Sequence, residues 1–264
     1  MFKFCSLFSG SSGNCSFVQT NTTKILIDAG ESAKKIGESL DEIHVNPSDI
    51  DAILITHEHS DHIKGLPLIC RKNDIPIYAC GDTAKFLKEE LDSKNIPANI
   101  ITTHYDSPFK IKDITIYPFE TSHDAAMPCG YKISDDTSSI TFATDLGYIS
   151  NDVMDKLVES DYTILESNYD EAMLEFGKYP FLLKRRIKSV TGHLSNDACG
   201  QAVAQLAKQG HNRFLFAHLS ENNNNEELAK QTIESILCQN GIDPSQVELN
   251  FASKSLSSEE YIIC

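Results

Sequence analysis

Between His57 and His62 the chain reads His-Glu-His-Ser-Asp-His, three imidazoles and one carboxylate among six residues, directly after the apolar run Ala52-Ile53-Leu54-Ile55 and Thr56. Such spacing has one ordinary use, which is to hold metal. Imidazole nitrogen suits zinc, iron, nickel or copper and carboxylate oxygen suits harder ions, so the mixed set is compatible with zinc, manganese or iron without choosing among them. A buried strand feeding a ligand-rich loop also limits the fold, because the loop has to be presented at the edge of a sheet.

The same arrangement recurs along the chain. Lys24-Ile25-Leu26-Ile27 ends on Asp28, the run from Ile114 to Phe119 leads to His123, and Ser139-Ile140-Thr141-Phe142-Ala143 leads to Asp145. Tyr162-Thr163-Ile164-Leu165 ends on Glu166, and Arg213-Phe214-Leu215-Phe216-Ala217 on His218. Short Val, Ile, Leu and Phe runs bounded by turn residues predict buried strands, and functional groups at their carboxyl ends converge along one rim of a sheet. Helices are marked by their punctuation. Asp197 to Gln209 carries Val203, Leu206 and Ala207 on one face and stops at Gly210, while Glu226 to Gln239 opens with acids and stops before Gly241. Alternating strands and helices without a linker predict an α/β chain forming a single domain over residues 1–264.

In order and spacing, Asp28, His57-x-His59-x-Asp61-His62, His123, Asp145 and His218 resemble the metallo-β-lactamase fold. The resemblance covers nearly the whole chain and implies a four-layer αββα sandwich with two divalent metal ions (Zn, Mn or Fe). It implies that His57, His59 and His123 hold one metal and Asp61, His62 and His218 the other, with Asp145 bridging and Asp28 orienting the ligand loop from behind. His59 stands where the flavodiiron branch carries glutamate, and Asp145 where many β-lactamases carry cysteine. The phosphodiesterase and thioesterase branches place a carboxylate at the latter position. Gly192-His193-Leu194-Ser195-Asn196, followed by a helix and His218-Leu219-Ser220, is similar to the tail of tRNA 3′-processing endonucleases of this fold. In those enzymes a glutamate, matched here by Glu166, pairs with the additional histidine.

A narrower resemblance, from end to end, is to the WalJ/YycJ family of bacterial metallo-hydrolases. It rests on Ser9-Gly10-Ser11-Ser12-Gly13-Asn14, Thr56 to Leu66, Ser122-His123-Asp124-Ala125-Ala126, Glu166-Ser167-Asn168, Lys184-Arg185-Arg186-Ile187, Gly192 to Asn196, and His218-Leu219-Ser220 with Asn222 to Asn225. The implied activity is a 5′-to-3′ exonuclease on DNA linked to mismatch repair. Tyr169 and Phe181 depart from the family, which commonly has histidine and tryptophan there; neither touches an expected ligand.

The chemistry of such a site also points to an anionic ester. Two divalent ions, set against Asp61, Asp145 and one hydroxide, leave a small positive charge that suits a phosphodiester. Zinc lowers the pKa of bound water toward roughly 7, which makes hydroxide available without a side-chain base. His193, held by Glu166, is expected to protonate the departing 3′ oxygen, so that Asp61, His193 and Glu166 form the catalytic set. RNA, a small or cyclic phosphodiester, or a thioester is the alternative substrate, and a non-enzymatic metal-dependent module the alternative class.

Overall charge runs against nucleic acid, with 38 acidic and 23 basic residues giving −15. Lys178, Lys184, Arg185, Arg186 and Lys188 nevertheless crowd one segment ahead of His193, with Tyr179 and Phe181 nearby for stacking. Substrate contacts are therefore expected from Lys184, Arg185 and Arg186, together with Asn14 and Asn168. Eight cysteines without a C-x-x-C pair predict buried small hydrophobes in a reducing compartment. The stretch Met1 to Phe8, interrupted by Lys3 and Ser6, predicts neither a secretory signal nor a membrane span, and hence a cytoplasmic protein. His44, His104 and His211 are expected at the surface.

Overall fold

A computed structural model describes residues 2–253 and 261–263. In chain order its elements are β1 (Phe2–Phe8), β2 (Cys15–Gln19), β3 (Lys24–Ile27), α1 (Ala33–Glu42), β4 (Ala52–Ile55), α2 (Ser60–Ile63), α3 (Leu66–Lys72), β5 (Ile77–Cys80) and α4 (Gly81–Ser93). Next come β6 (Ile100–Thr103), β7 (Phe109–Ile111), β8 (Ile114–Glu120), β9 (Cys129–Ser134), β10 (Ser139–Ala143), α5 (Asn151–Val158), β11 (Tyr162–Glu166) and α6 (Glu171–Phe176). The chain closes with α7 (Phe181–Ile187), α8 (Asn196–Ala207), β12 (Arg213–Ala217), α9 (Glu226–Gln239), β13 (Glu248–Phe251) and β14 (Tyr261–Ile263). Every apolar run picked out in the sequence forms a strand with bounds within one residue of those expected. The fold is mixed α/β and divides into two compact units, one from Met1–Glu120, Ala125–Ser138 and Ser253–Cys264, the other from Thr121–Asp124 and Ser139–Ala252.

In the first unit seven strands run in the order β14-β1-β2-β3-β4-β5-β6. β1 to β3 are antiparallel, and β3 to β6 are parallel. The parallel strands are nearly unbroken apolar sequence because both faces are covered. Leu26, Ile53, Ile55, Ile77 and Ala79 join Ile36 and Leu40 of α1, Leu66 and Ile69 of α3, and Ala84 and Leu87 of α4 in one apolar cluster. A separate antiparallel meander, β7-β8-β9, completes this unit.

The second unit is built on four parallel strands, β10-β11-β12-β13. Ser195 caps α8 by accepting from the Ala198 amide, and Asn225 caps α9 by accepting from Leu228. These caps set the helix starts one residue before, and at, the positions read from sequence. Gly200 of α8 lets α9 approach closely, since a Cβ there would meet Ile236 Cδ1 at 2.7 Å. One expectation is corrected: His211 is 7% exposed, its ring edge-on to Phe214, and burial pushes its imidazole toward the neutral form. His44 and His104 are exposed. Among the described residues no helix is long and apolar enough to cross a membrane.

Three loops of the first unit are stitched by backbone hydrogen bonds. Asn14 N donates to Asp61 O, Gly30 N to Asn14 O, Ala29 N to His62 O and Gly65 N to Ala29 O, each at 2.8 Å. Gly30 makes this possible, because a Cβ on it would lie 1.6 Å from Asp61 O and 2.5 Å from Asn14 N. Gly30→Ala is therefore expected to cost about 3 kcal/mol or more, the upper end of overpacking penalties, measured as a shift in the urea unfolding midpoint.

Candidate metal-binding and catalytic residues

Asp28 organises the first unit's share of polar groups. It follows β3 in the left-handed region at φ 62°, a conformation that aspartate tolerates better than most residues. Its side chain is 4% exposed; Oδ1 accepts from Thr56 N at 2.8 Å, and Oδ2 accepts from Thr56 Oγ1 at 2.9 Å and from His62 Nδ1 at 2.8 Å. The Thr56 hydroxyl has given its one hydrogen to Asp28, so toward His57 Nδ1, 3.1 Å away, it can only accept. Both His57 and His62 consequently carry the proton on Nδ1 and the lone pair on Nε2.

Those Nε2 atoms face further candidate metal ligands. His57 Nε2 lies 3.0 Å from His59 Nδ1, and His62 Nε2 lies 3.6 Å from Asp61 Oδ2. Two ring nitrogens converge so closely only with a proton or a cation between them. Asn14, expected to touch substrate, instead reaches this set: its Nδ2 is 3.4 Å from Asp61 Oδ2 and 3.1 Å from His62 Nε2, while its Oδ1 accepts from Gly10 N. Glu58, unremarked in the sequence, pins the ligand loop from its other side, with Oε1 accepting from Ala126 N at 2.7 Å and Oε2 from Thr83 Oγ1 at 3.1 Å. Its position between two histidines was the available signal.

In the second unit Glu166, 0% exposed, holds two imidazoles at once. Its Oε1 accepts from His193 Nδ1 at 2.8 Å and from His218 Nδ1 at 2.7 Å, and its Oε2 accepts from the backbone N–H of Leu146 and Leu194, each at 3.1 Å. Burial alone would raise this carboxyl, but the two imidazoles outweigh it and keep Glu166 well below the usual carboxylate range. His123 Nδ1 is fixed by Gly192 O at 3.0 Å, leaving Nε2 3.8 Å from Asp145 Oδ1. Burial pushes His123 toward the neutral form that metals bind. Asp145, Glu166, His193 and His218 bring one potential ligand atom each within 4.8 Å of one another. Asp145 and His218 share the left-handed conformation of Asp28, at φ 56° and 58°. His193 differs from its neighbours in being partly open to solvent, with 16% of its side chain exposed.

Behind these groups runs a buried asparagine network. Ser167 Oγ donates to Asn196 Oδ1 at 2.7 Å, Asn196 Nδ2 donates to Asn224 Oδ1 at 3.0 Å, and Asn224 Nδ2 donates to the carbonyls of Ser167 and Asn168. Asn168, predicted as a substrate contact, is 4% exposed and donates to His218 O at 2.8 Å. It holds the His218 turn rather than facing solvent. The segments carrying Glu166, His193 and His218 are thus tied together by amides that need no water.

Of the basic residues expected to meet substrate, two are already engaged. Arg186 makes a two-pronged contact with Asp124, at 2.5 and 2.9 Å, and Lys184 Nζ donates to Glu175 O at 2.6 Å. Lys188 pairs with Glu171 and Glu175. Arg185 is exposed and has no ion pair or hydrogen bond among the described residues.

Comparison with known proteins identifies the family. Residues 23–219 match the Beta-lactamase superfamily domain. The chain is 38% identical over 241 residues to Exodeoxyribonuclease WalJ of Streptococcus pneumoniae (strain D39 / NCTC 7466), covering 90% of this chain and 89% of that protein. It is 36% identical to Exodeoxyribonuclease YycJ of Bacillus anthracis, covering 90% of each. The metallo-β-lactamase-fold protein YhfI of Bacillus subtilis superposes with a TM-score of 0.72 at 17% identity, covering 98% of this chain and 100% of that one, which is likeness of fold alone. A sequence match of that length, on a chain whose strand ends carry the expected histidines and carboxylates, places this protein in the WalJ/YycJ family of the β-lactamase superfamily.

Proposed function

We propose that this protein is a cytoplasmic, divalent-metal-dependent phosphodiesterase that degrades DNA from the 5′ end and serves mismatch repair, its two units acting as one catalytic domain. The observation that carries the reading is the common setting of four imidazoles. His57, His62, His123 and His218 each have Nδ1 engaged by a hydroxyl, carboxylate or carbonyl, which leaves Nε2 for a metal. The fold family implies divalent metal ions, and a donor set of imidazoles, most of them buried, with Asp61 and Asp145 fits them. In this proposal His57, His59 and His123 hold one ion and Asp61, His62 and His218 the other, with Asp145 shared. Zinc, manganese and iron are all compatible with these donors. Relatives named exodeoxyribonucleases support DNA as the substrate.

Bound ions would supply acidified water and positive charge to a phosphodiester. The chain's own residues do the rest. Asp28 and Glu166 fix imidazole orientation, and Asn14 steadies Asp61. His193, anchored at Nδ1 by Glu166 and partly open to solvent, is placed to hold a proton on Nε2 and deliver it to the departing 3′ oxygen.

Three outcomes follow. Asp145→Ala, or chelation of wild type, should abolish degradation of end-labelled DNA, with bound metal lowered in elemental analysis of the variant. Stepwise loss from the 5′ label in wild type supports the proposal; turnover of RNA or of a small chromogenic diester without any DNA cleavage would redirect it. His193→Ala should lower kcat on DNA by about 10²–10⁴-fold while sparing a nitrophenyl diester, whose leaving group needs no proton. Glu166→Gln should weaken metal affinity by about 10–100-fold, measured by competition with a chromogenic chelator.

A further inference from the structure

A groove of about 520 Å³ lies in the second unit, beside its candidate ligands. One end is lined by Gly147 and Tyr148, just after Asp145, and by Leu194, just after His193; Gln201 and Gln205 of α8, with Lys208 at the end of that helix, line the other. The first end is built rather than incidental. Gly147 N donates to Ser122 O at 2.9 Å, Tyr148 N to Ser122 Oγ at 3.2 Å, and Ser122 Oγ to Tyr148 O at 3.1 Å. Gly147 also lies against the segment that leads to His193, since a Cβ on it would meet Val190 C and O at 2.4 Å. The loop is thus clamped to the residue before His123, yet Tyr148 is 51% exposed and its hydroxyl has no hydrogen bond among the described residues. A ring held on a fixed loop has little freedom left to lose when a ligand covers it.

Charge and reaction geometry decide what fits. Among the described residues no carboxylate lines this groove, in a chain of net charge −15. Gln201 and Gln205, one helical turn apart, are exposed and have no hydrogen bond among the described residues. Lys208 Nζ donates to the neutral amide oxygen of Asn240, at 2.7 Å, rather than to a carboxylate. An open ring, two amide donors and a cation meet the needs of a nucleotide, which offers a base face and acceptor oxygens. A cut that begins at the 5′ end releases the terminal nucleotide through its 3′ oxygen, the atom that His193 is proposed to protonate. That nucleotide therefore belongs on the His193 side of the scissile phosphate, where the groove opens. An end also uncovers one face of its last base, paired or unpaired, whereas a base inside a stacked strand has neighbours on both faces.

We infer that this groove is the subsite for the 5′-terminal nucleotide, in which Tyr148 stacks on the uncovered base face while Gln201 and Gln205 donate to phosphate or sugar oxygens. This rests on the exonuclease reading above and adds a device for acting at an end. Tyr148 is then a positioning residue, which sets the terminal 3′ oxygen before His193.

The test uses the full chain loaded with metal and a 5′-phosphorylated oligonucleotide whose first nucleotide is either intact or abasic. Tyr148→Ala on the intact end, and wild type on the abasic end, should each lower kcat/KM by about 5- to 100-fold, mainly through KM. Both changes together should cost no more than either alone, because each leaves the other without a partner. Tyr148→Trp should keep the activity and Tyr148→Leu should not, because leucine keeps apolar area but offers no ring. Gln201→Glu, at an exposed helix position, should raise KM on the intact oligonucleotide, and Gln201→Lys should lower it. Additive losses, or wild-type kinetics in Tyr148→Ala, would overturn the subsite while leaving the exonuclease intact, as would equal effects of glutamate and lysine at position 201. A wild type that hydrolyses a chromogenic diester but no DNA would overturn the exonuclease reading and the subsite with it.

Discussion

A histidine can ligate a divalent cation only through a ring nitrogen that keeps its lone pair, and a buried ring keeps it reliably only when its other nitrogen is held by an acceptor. Four imidazoles of this protein meet that requirement. Asp28 and Thr56 settle His57 and His62, Gly192 O settles His123, and Glu166 settles His218. Buried carboxylates are costly unless fully hydrogen-bonded, and each of the two that organise a loop accepts from backbone amide as well as from imidazole. The strands supply these acceptors because their carboxyl ends are where backbone is released from the ladder and side chains can turn inward.

Glu166 extends the same logic to a residue that need not bind metal. One oxygen serves both His193 and His218, so the proposed general acid and the proposed metal ligand share an anchor. Moving either ring displaces the acceptor of the other. The asparagine network behind them acts at longer range, since Asn224 bonds to the carbonyls of Ser167 and Asn168 and Asn168 to that of His218. Amides suit this task because each offers donors and an acceptor without adding charge to a region already rich in carboxylate.

Much of this was legible in the sequence. Strand positions follow from short Val, Ile, Leu and Phe runs, because parallel strands covered on both faces leave little room for other patterns, and the histidines and carboxylates at their ends are the candidate ligands. What escaped notice was whatever depended on which side chain meets which. The charge run predicts substrate contacts at Lys184 and Arg186, whereas in the fold they are engaged by the Glu175 carbonyl and Asp124. Asn14 and Asn168 are expected from the sequence to contact substrate, yet Asn14 reaches Asp61 and Asn168 holds the His218 carbonyl. The run Asn222 to Asn225 read as a loop and cap, and Asn225 is the cap, but Asn224 belongs to the buried network. Distances in space between residues far apart in sequence carry no periodic signature.

The left-handed conformations of Asp145 and His218 also bear on the order in which the protein is assembled. Each costs of order 1–3 kcal/mol and persists only where surrounding bonds over-determine it. For His218 those bonds come from Asn168 and Glu166, at the end of a neighbouring strand, so the ring has no fixed direction until β11 and β12 have paired. The rings of His57 and His62 likewise depend on Asp28, at the end of the neighbouring strand β3. In the second unit too the donors come from separate strands, and their convergence requires the parallel ladder to be formed.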